Sequence, residues 1–297
     1  MTAVTLTVLV ALWQPSTGPL ALKPPKHGDV YVVAHRGAHK GIPENTLAAY
    51  EKAIDFGVDF VEIDVRATKD GHFVSIHNDT VDAYVVDGTS GKVRDFTLEA
   101  LRALDIGSRV GPQWKGQKIP TFEEILDLCK GRCGIYLDLK DAPVGPLVEA
   151  VKQRAMEHDV LWYADRHEIM ELKKRCPECI AMPDPGPEEN LPRLIEELKP
   201  RVIAAVWRHF SKTFVDTCHA AGAIVIVDEG GRGYWEQALE WHVDGIQTNY
   251  PEELIRFLKT RKHAERKRSR SLSRRWLRVF RKLREKASAF SGESVSN

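Results

Sequence analysis

The sequence predicts an α/β fold with a mainly parallel sheet, on three observations. Short β-branched apolar runs alternate with segments of helical periodicity along most of the chain. No Pro/Ser/Gly linker breaks the stretch from Val30 to Leu258, and 297 residues at 43% apolar content suffice to bury one barrel-sized core. The strand-like runs lie at 30–34, 60–65, 73–77, 134–139, 160–164, 179–182, 202–206, 223–227 and 245–248. Between them, helix-like segments cover Thr46–Phe56, Leu98–Leu104, Thr121–Cys129, Val144–Glu157, Glu168–Arg175, Leu191–Leu198, Ser211–Ala221 and Tyr234–Trp241. Nine strands are one too many for an eight-stranded barrel. The second and third are separated by about seven residues, too few for a parallel crossover. Asp70-Gly71 in that link is a hairpin signal, and a two-residue turn there sets Asp64 opposite His77, about 5 Å apart at Cβ. A wider loop would shift the register by one and separate them.

The net charge of +1 conceals a division. Residues 260–297 hold 13 Lys/Arg and 3 Glu, a local +10 that leaves −9 for residues 1–259. The chain therefore divides into an N-terminal apolar segment (1–29), a barrel (30–259) and a basic tail (260–297). Met1–Trp13 is mostly apolar and uncharged, but too short to span a bilayer and without the basic start of a secretory signal. A cytoplasmic location is expected, with export the lesser alternative. Five cysteines form no disulfide framework, so structural thiols are expected; Cys176-Pro-Glu-Cys179 as half of a zinc site is the alternative.

In the second strand, Val61, Ile63 and Val65 face one way and Glu62 and Asp64 the other. Two acids on one face raise each other's cost of ionisation unless a cation lies between them, and an all-oxygen set favours Mg²⁺ or Ca²⁺ over zinc. The alternative is a solvated edge strand. Gly134–Lys140 alternates in the same way and places Asp138 and Lys140 on one face, as a third ligand and a cation for a substrate oxygen, or as an ordinary surface ion pair. His35, Arg36 and His77 complete a set of residue types suited to metal-assisted phosphodiester chemistry. Isolated histidines such as His39 and His72 are read as structural.

Ala34-His35-Arg36-Gly37, Pro43-Glu44-Asn45-Thr46, Glu62-x-Asp64, His77, Leu137-Asp138-Leu139-Lys140 and Val243–Pro251 follow one another in an order that resembles the glycerophosphodiester phosphodiesterase family. The connecting segments Gly88–Val93, Phe96–Leu101 and Ile119–Ile125 are similar too, so the resemblance covers Val30 to about Leu258. It implies a modified TIM (β/α)₈ barrel with its site at the C-terminal strand ends and a small insertion after the third strand segment. It also implies one divalent metal and hydrolysis of glycerophosphodiesters to glycerol 3-phosphate and an alcohol. By the same resemblance His35 and His77 form the acid/base pair, and Arg36 and Lys140 contact phosphate. Glu62, Asp64 and Asp138 bind metal, with Glu44 and Asn45 in support.

Several positions depart from the family pattern. Asp138 replaces Glu, Asn78 replaces Asp after His77, and Ala83-Tyr84 stand in an Asp-Arg-Thr segment. Val227-Asp228-Glu229 replaces Trp-Thr, and Asn249 replaces Asp before Tyr250-Pro251. These leave the core groups in place and cluster at the expected substrate mouth, so the alcohol moiety stays open. Two alternatives remain: a lysophospholipase D or sphingomyelinase D-like lipid phosphodiesterase, against which the Gly88–Leu104 insertion speaks, and a non-catalytic membrane-associated barrel. In the tail, Trp276, Leu277, Phe280, Leu283 and Ala287 recur at helical spacing among arginines and lysines, a pattern for contact with an anionic membrane surface or for a solvated extension. No nucleic-acid module is present.

Overall fold

The computed structural model describes residues 22–228 and 230–264. Its strands are β1 (Tyr31–Ala34), β2 (Phe60–Ala67), β3 (Phe73–Ser75), β4 (Gly134–Asp141), β5 (Val160–Tyr163), β6 (Ile180–Ala181), β7 (Val202–Ala205), β8 (Ile224–Val227) and β9 (Gly245–Thr248). The helices are α1 (Leu47–Phe56), α2 (Leu98–Ala103), α3 (Phe122–Cys129), α4 (Val144–Lys152), α5 (Arg166–Arg175), α6 (Leu191–Leu198), α7 (Lys212–Ala220) and α8 (Trp235–Glu240). Eight strands pair in parallel in the order β6-β5-β4-β2-β1-β9-β8-β7. The Ala204 N–H donates to the Pro183 carbonyl at 3.0 Å, so the ends of that order meet and the sheet is a nearly closed (β/α)₈ barrel. The surplus strand, β3, pairs antiparallel with β2 outside the barrel circuit, as the hairpin reading requires.

Strand alternation sorts the side chains. Val32, Ala34, Val61, Ile63, Val65, Ile135 and Leu137 point outward into the main core beneath the helices, whereas Tyr31, Val33, Phe60, Tyr136, Leu161 and Ile226 plug the barrel interior. Glu62 and Asp64 continue the interior face of β2 above that plug, toward the C-terminal end. Helix starts follow from capping: Thr46, Thr97, Thr121 and Ser211 each accept an N–H from the first turn of α1, α2, α3 and α7, and Thr121 closes a capping box with Glu124. α4 ends at Lys152, short of the expected Glu157, because Ala155 takes a left-handed conformation and the Met156 N–H turns back to the Val151 carbonyl at 3.2 Å.

The insertion runs from Ile76 to Pro120, wider than the sequence suggests, and has its own satellite core of Val74, Ile76, Val81, Tyr84, Val93, Leu101, Ile106 and Ile119. Cys176 and Cys179 form a disulfide, which corrects the expectation of five free thiols and removes the half zinc site. The turn in which the Cys179 N–H meets the Cys176 carbonyl brings their Cα atoms to 5.3 Å, within bridging range. Cys129, Cys133 and Cys218 are buried thiols. Leu22 packs on the interior plug and the Lys23 carbonyl accepts from the Tyr31 hydroxyl at 2.9 Å, so residues 22–29 strap the N-terminal end of the barrel. A final helix over 251–264 continues past residue 260. The earlier apolar residues and the Trp276–Ala287 pattern lie outside the described residues. Among the described residues no helix is long and apolar enough to cross a membrane.

Candidate active site

The loop after β1 carries two sharply bent residues that build half of the site. Arg36 adopts a positive φ of 53°, which turns its N–H onto Glu62 Oε2 at 2.6 Å. Gly37, at φ 79°, then lies so close to α1 that a Cβ would stand 2.7 Å from the Ala49 carbonyl carbon; only glycine fits. The Arg36 guanidinium donates to Glu44 at 3.2 Å and places Nε 3.7 Å from Asp64, where this buried nitrogen has no hydrogen-bond partner. Asn45, also left-handed at φ 53°, donates to Asp64 Oδ2 at 2.7 Å and accepts from the Tyr50 hydroxyl at 2.8 Å and Ser75 at 3.1 Å. Thr46 then caps α1 and donates to the Pro43 carbonyl. The Pro43–Thr46 motif is thus a turn that points Glu44 at Arg36 and Asn45 at Asp64 and starts a helix.

Parallel pairing of β2 with β4 sets Asp64 beside Asp138. Glu62, Asp64 and Asp138 each offer an oxygen within 4.8 Å of the others, and the first two are 1% exposed. Lys140 donates to Asp138 at 2.6 Å and lies 3.2 Å from Asp64. Burial pushes the Glu62 carboxyl well up, reinforced by Asp64 and Asp138; burial likewise raises Asp138 to about 6, against the pull of Lys140. Burial is the largest influence on both cations and lowers them, but the carboxylates together outweigh it, Asp64, Glu44 and Glu62 for Arg36 and Asp138 with Asp64 for Lys140, so each ends above its ordinary value. Three buried, mutually repelling carboxylates with an all-oxygen donor set fit a hard divalent cation.

His77 approaches the triad by a different route from the one expected. Val65 pairs with Ser75 and Arg66 with Val74, so the loop is three residues long rather than two and the position opposite Asp64 belongs to Ile76, whose N–H meets the Asp64 carbonyl at 2.9 Å. The Thr68 N–H bonds the His72 carbonyl and Gly71 supplies the left-handed residue, a common three-residue hairpin that Asp70-Gly71 alone does not distinguish from a two-residue one. His77 follows the end of β3, where Arg66 holds its carbonyl at 2.7 Å, and its imidazole is among the charges that pull Asp138 down.

Both histidines are fixed through Nδ1 by an asparagine oxygen: His35 by Asn249 at 2.8 Å, His77 by Asn78 at 3.0 Å. Because an amide oxygen only accepts, each Nδ1 carries the proton and each Nε2 keeps its lone pair in the neutral ring. Burial, then Arg36, lowers the His35 pKa, with Asn249, Asp228 and Asp64 opposing. His39, read as structural, donates from Nδ1 to the His35 carbonyl at 2.9 Å and buttresses this loop. Sequence reasoning passed over Tyr84, whose hydroxyl accepts the Asn78 N–H at 3.1 Å and donates to Glu44 at 3.4 Å, and over Tyr50 and Ser75 behind Asn45. Of these only Tyr84 carried a signal, as a departure from the family pattern.

Fold and site define a parallel (β/α)₈ barrel with an acidic triad, two cations and two oriented histidines at the C-terminal strand ends. Residues 35–170 match the Glycerophosphoryl diester phosphodiesterase family. A glycerophosphodiester phosphodiesterase of Caldanaerobacter subterraneus is 37% identical over 154 residues, 49% of this chain and 63% of that protein, and human glycerophosphodiester phosphodiesterase 1 is 36% identical over 136 residues, 45% and 40%. The matched segments therefore span less than two-thirds of these relatives. In fold, the chain is similar to a glycerophosphodiester phosphodiesterase of Agrobacterium tumefaciens (TM-score 0.68, 24% identity, 76% of this chain and 99% of that one). It is similar also to an Oleispira antarctica phosphodiesterase solved with sn-glycerol-3-phosphate (TM-score 0.69, 24% identity, 77% and 96%). Over residues 35–170 the chain is thus similar to the glycerophosphodiester phosphodiesterase family.

Proposed function

We propose that this chain is an enzyme that hydrolyses glycerophosphodiesters to glycerol 3-phosphate and an alcohol, with one divalent metal ion, Mg²⁺ or Ca²⁺, held by Glu62, Asp64 and Asp138. The observation that carries this reading is the convergence of three carboxylates within 4.8 Å beside Arg36, Lys140 and two Nδ1-anchored histidines. A bound ion supplies positive charge against the anionic diester. Arg36 offers its unpartnered Nε to a phosphate oxygen, and Lys140, between Asp64 and Asp138, offers a second cation. Glu44 holds the Arg36 guanidinium in place and Asn45 holds Asp64.

His35 and His77 act as the acid/base pair. One imidazole takes a proton at Nε2 from water or from the neighbouring glycerol hydroxyl, and the other protonates the departing alkoxide. A pKa below the ordinary value keeps His35 neutral at pH 7, the form a base needs. The relatives named as glycerophosphodiester phosphodiesterases support the same chemistry. The test is release of glycerol 3-phosphate from glycerophosphocholine and glycerophosphoethanolamine by the purified protein with Mg²⁺ or Ca²⁺. A chelator and His35→Ala should each abolish it; unchanged release in both would sink the mechanism. The same panel with lysolipids added separates this activity from a lipid phosphodiesterase. No cleavage of any diester would leave a binding barrel. Barrel residues 30–259 carry the activity in this reading, in the cytoplasm, with the basic tail contacting anionic membrane.

A further inference from the structure

A pair of thiols lies at the N-terminal end of the barrel, away from the carboxylate triad. Cys129 is the last residue of α3, and Cys133 directly precedes β4, the strand that carries Asp138 and Lys140. Between them Gly131, at φ 73°, reverses the chain, and the Cys133 N–H returns to the Cys129 carbonyl at 3.1 Å. A single turn closed in this way holds its end Cα atoms about 6 Å apart, inside the range that a disulfide spans. Neither cysteine is bridged; Cys129 is fully buried, whereas Cys133 is 8% exposed.

The two thiols are unequal. A hydrogen bond from the Cys129 S–H to the Cys133 sulfur pushes Cys129 well up, and burial adds to it. The same bond holds Cys133 below its ordinary value against the effect of burial, helped by Lys26, Arg132 and the Val61 N–H. Cys133 therefore forms the thiolate, the reactive state of a cysteine, and Cys129 keeps its proton. Cys133 also lines a cavity of about 240 Å³ whose wall includes Lys26, Arg132 and His158. The Arg132 side chain is paired with Glu51, but among the described residues the Lys26 ammonium meets only the Val58 and Arg132 carbonyls, at 2.6 and 3.1 Å. Its charge is available to a carboxylate entering the cavity. A thiolate on a cavity wall, a cation beside it and a second thiol one turn behind are the parts of a disulfide-exchange site.

We infer that Cys133 exchanges with small, carboxylate-bearing disulfides, that Cys129 is its resolving thiol, and that the pair closes to a disulfide between the end of α3 and the start of β4. The Cys133 thiolate attacks one sulfur of the incoming RSSR, forms a mixed disulfide and expels RS⁻, which takes up the Cys129 proton and leaves as RSH. The Cys129 thiolate then attacks the Cys133 sulfur. The Cys129–Cys133 bond forms and the second RS⁻ departs, taking up the proton that Cys133 had given to solvent. Two protein thiols are oxidised and one small disulfide is reduced to two thiols. None of this depends on the diesterase reading.

The experiment treats the full chain with excess glutathione disulfide at pH 7, then alkylates it under denaturing conditions without reductant and maps the peptides by mass. The wild type is expected to fall from three alkylatable thiols, Cys129, Cys133 and Cys218, to Cys218 alone, with a Cys129–Cys133 bridge and no retained glutathione. Cys129→Ser should trap a glutathione adduct on Cys133, and Cys133→Ser should gain its adduct on Cys129 about tenfold more slowly. A wild type that keeps all three thiols overturns the inference, as does glutathione that stays on Cys133 without a bridge or settles first on Cys218. Equal rates in the two variants overturn the assignment of Cys133 as the attacking thiol. If either variant lacks the wild-type circular dichroism, the wild-type thiol count and the mapped bridge decide alone.

Discussion

Asp138 illustrates how single side chains in this site are placed at a cost to the fold. Its carboxyl titrates at about 6 against an ordinary 3.8, with burial as the main cause. The folded chain therefore keeps the proton up to about pH 6, whereas the unfolded chain gives it up near 4. Stability from this group is full below pH 4, falls as pH rises to about 6, and by pH 7 is lower by about 3 kcal/mol. In chelator at pH 7, Asp138→Asn is expected to raise Tm, and the gain should vanish at pH 4. Divalent metal should raise the Tm of the wild type but not of the variant. A variant less stable than the wild type at pH 7 in chelator would refute the burial account. The asparagines at Nδ1 make a second prediction: an amide orients the imidazole and favours its charged form less than a carboxylate would. Asn249→Asp should raise the His35 pKa and move the acidic limb of kcat/KM to higher pH by about one unit; an unmoved limb would exclude His35 as its source. At this scale the triad, both histidines, Arg36 and Lys140 were legible, because each sits in a short motif with strand alternation. Tyr50 and Ser75 behind Asn45 were not: Ser75 reaches it only through β-hairpin register, 30 residues away along the chain.

Among elements, the β1–α1 junction bears the most strain. Arg36, Gly37 and Asn45 all have positive φ, and α1 begins against the Gly37 backbone. Gly37→Ala would combine a left-handed alanine with a Cβ at 2.7 Å from Ala49, and neither backbone can yield without moving Arg36 off Glu62. A loss of about 3 kcal/mol or more in denaturant unfolding is expected, with weakened metal binding beside it; a neutral substitution would show the loop to be more yielding than its contacts imply. Element identity was largely readable, since nine apolar runs became nine strands and the short link became a hairpin. Register was not. Two- and three-residue turns both suit Asp70-Gly71, and one residue decides whether His77 or Ile76 faces Asp64. The insertion's docking through Tyr84 was hidden for a related reason: its satellite core obeys no repeat period that the barrel imposes.

Over the whole molecule the charge is unevenly held. Residues 265–297 carry eleven Lys/Arg and three Glu, so the remainder of the chain is acidic and its mouth holds the triad. An acidic barrel is repelled by an anionic bilayer, and any attraction has to come from the basic segment, at about 1 kcal/mol per Lys/Arg near the surface. The described residues of the site run from His35 to Asn249. We therefore expect deletion of 265–297 to abolish sedimentation with phosphatidylserine vesicles at low salt and to leave turnover of soluble diesters unchanged. Full-length binding should fall as salt shortens the Debye length from about 30 Å at 0.01 M to about 8 Å at 0.15 M. Equal vesicle binding by both proteins would remove the anchor, and salt-insensitive binding would point to apolar insertion of Trp276, Leu277 and Phe280 instead of charge. Turnover that falls with the deletion would mean that the tail supports the barrel itself, and the helix over 251–264 would be the first place to look for that support.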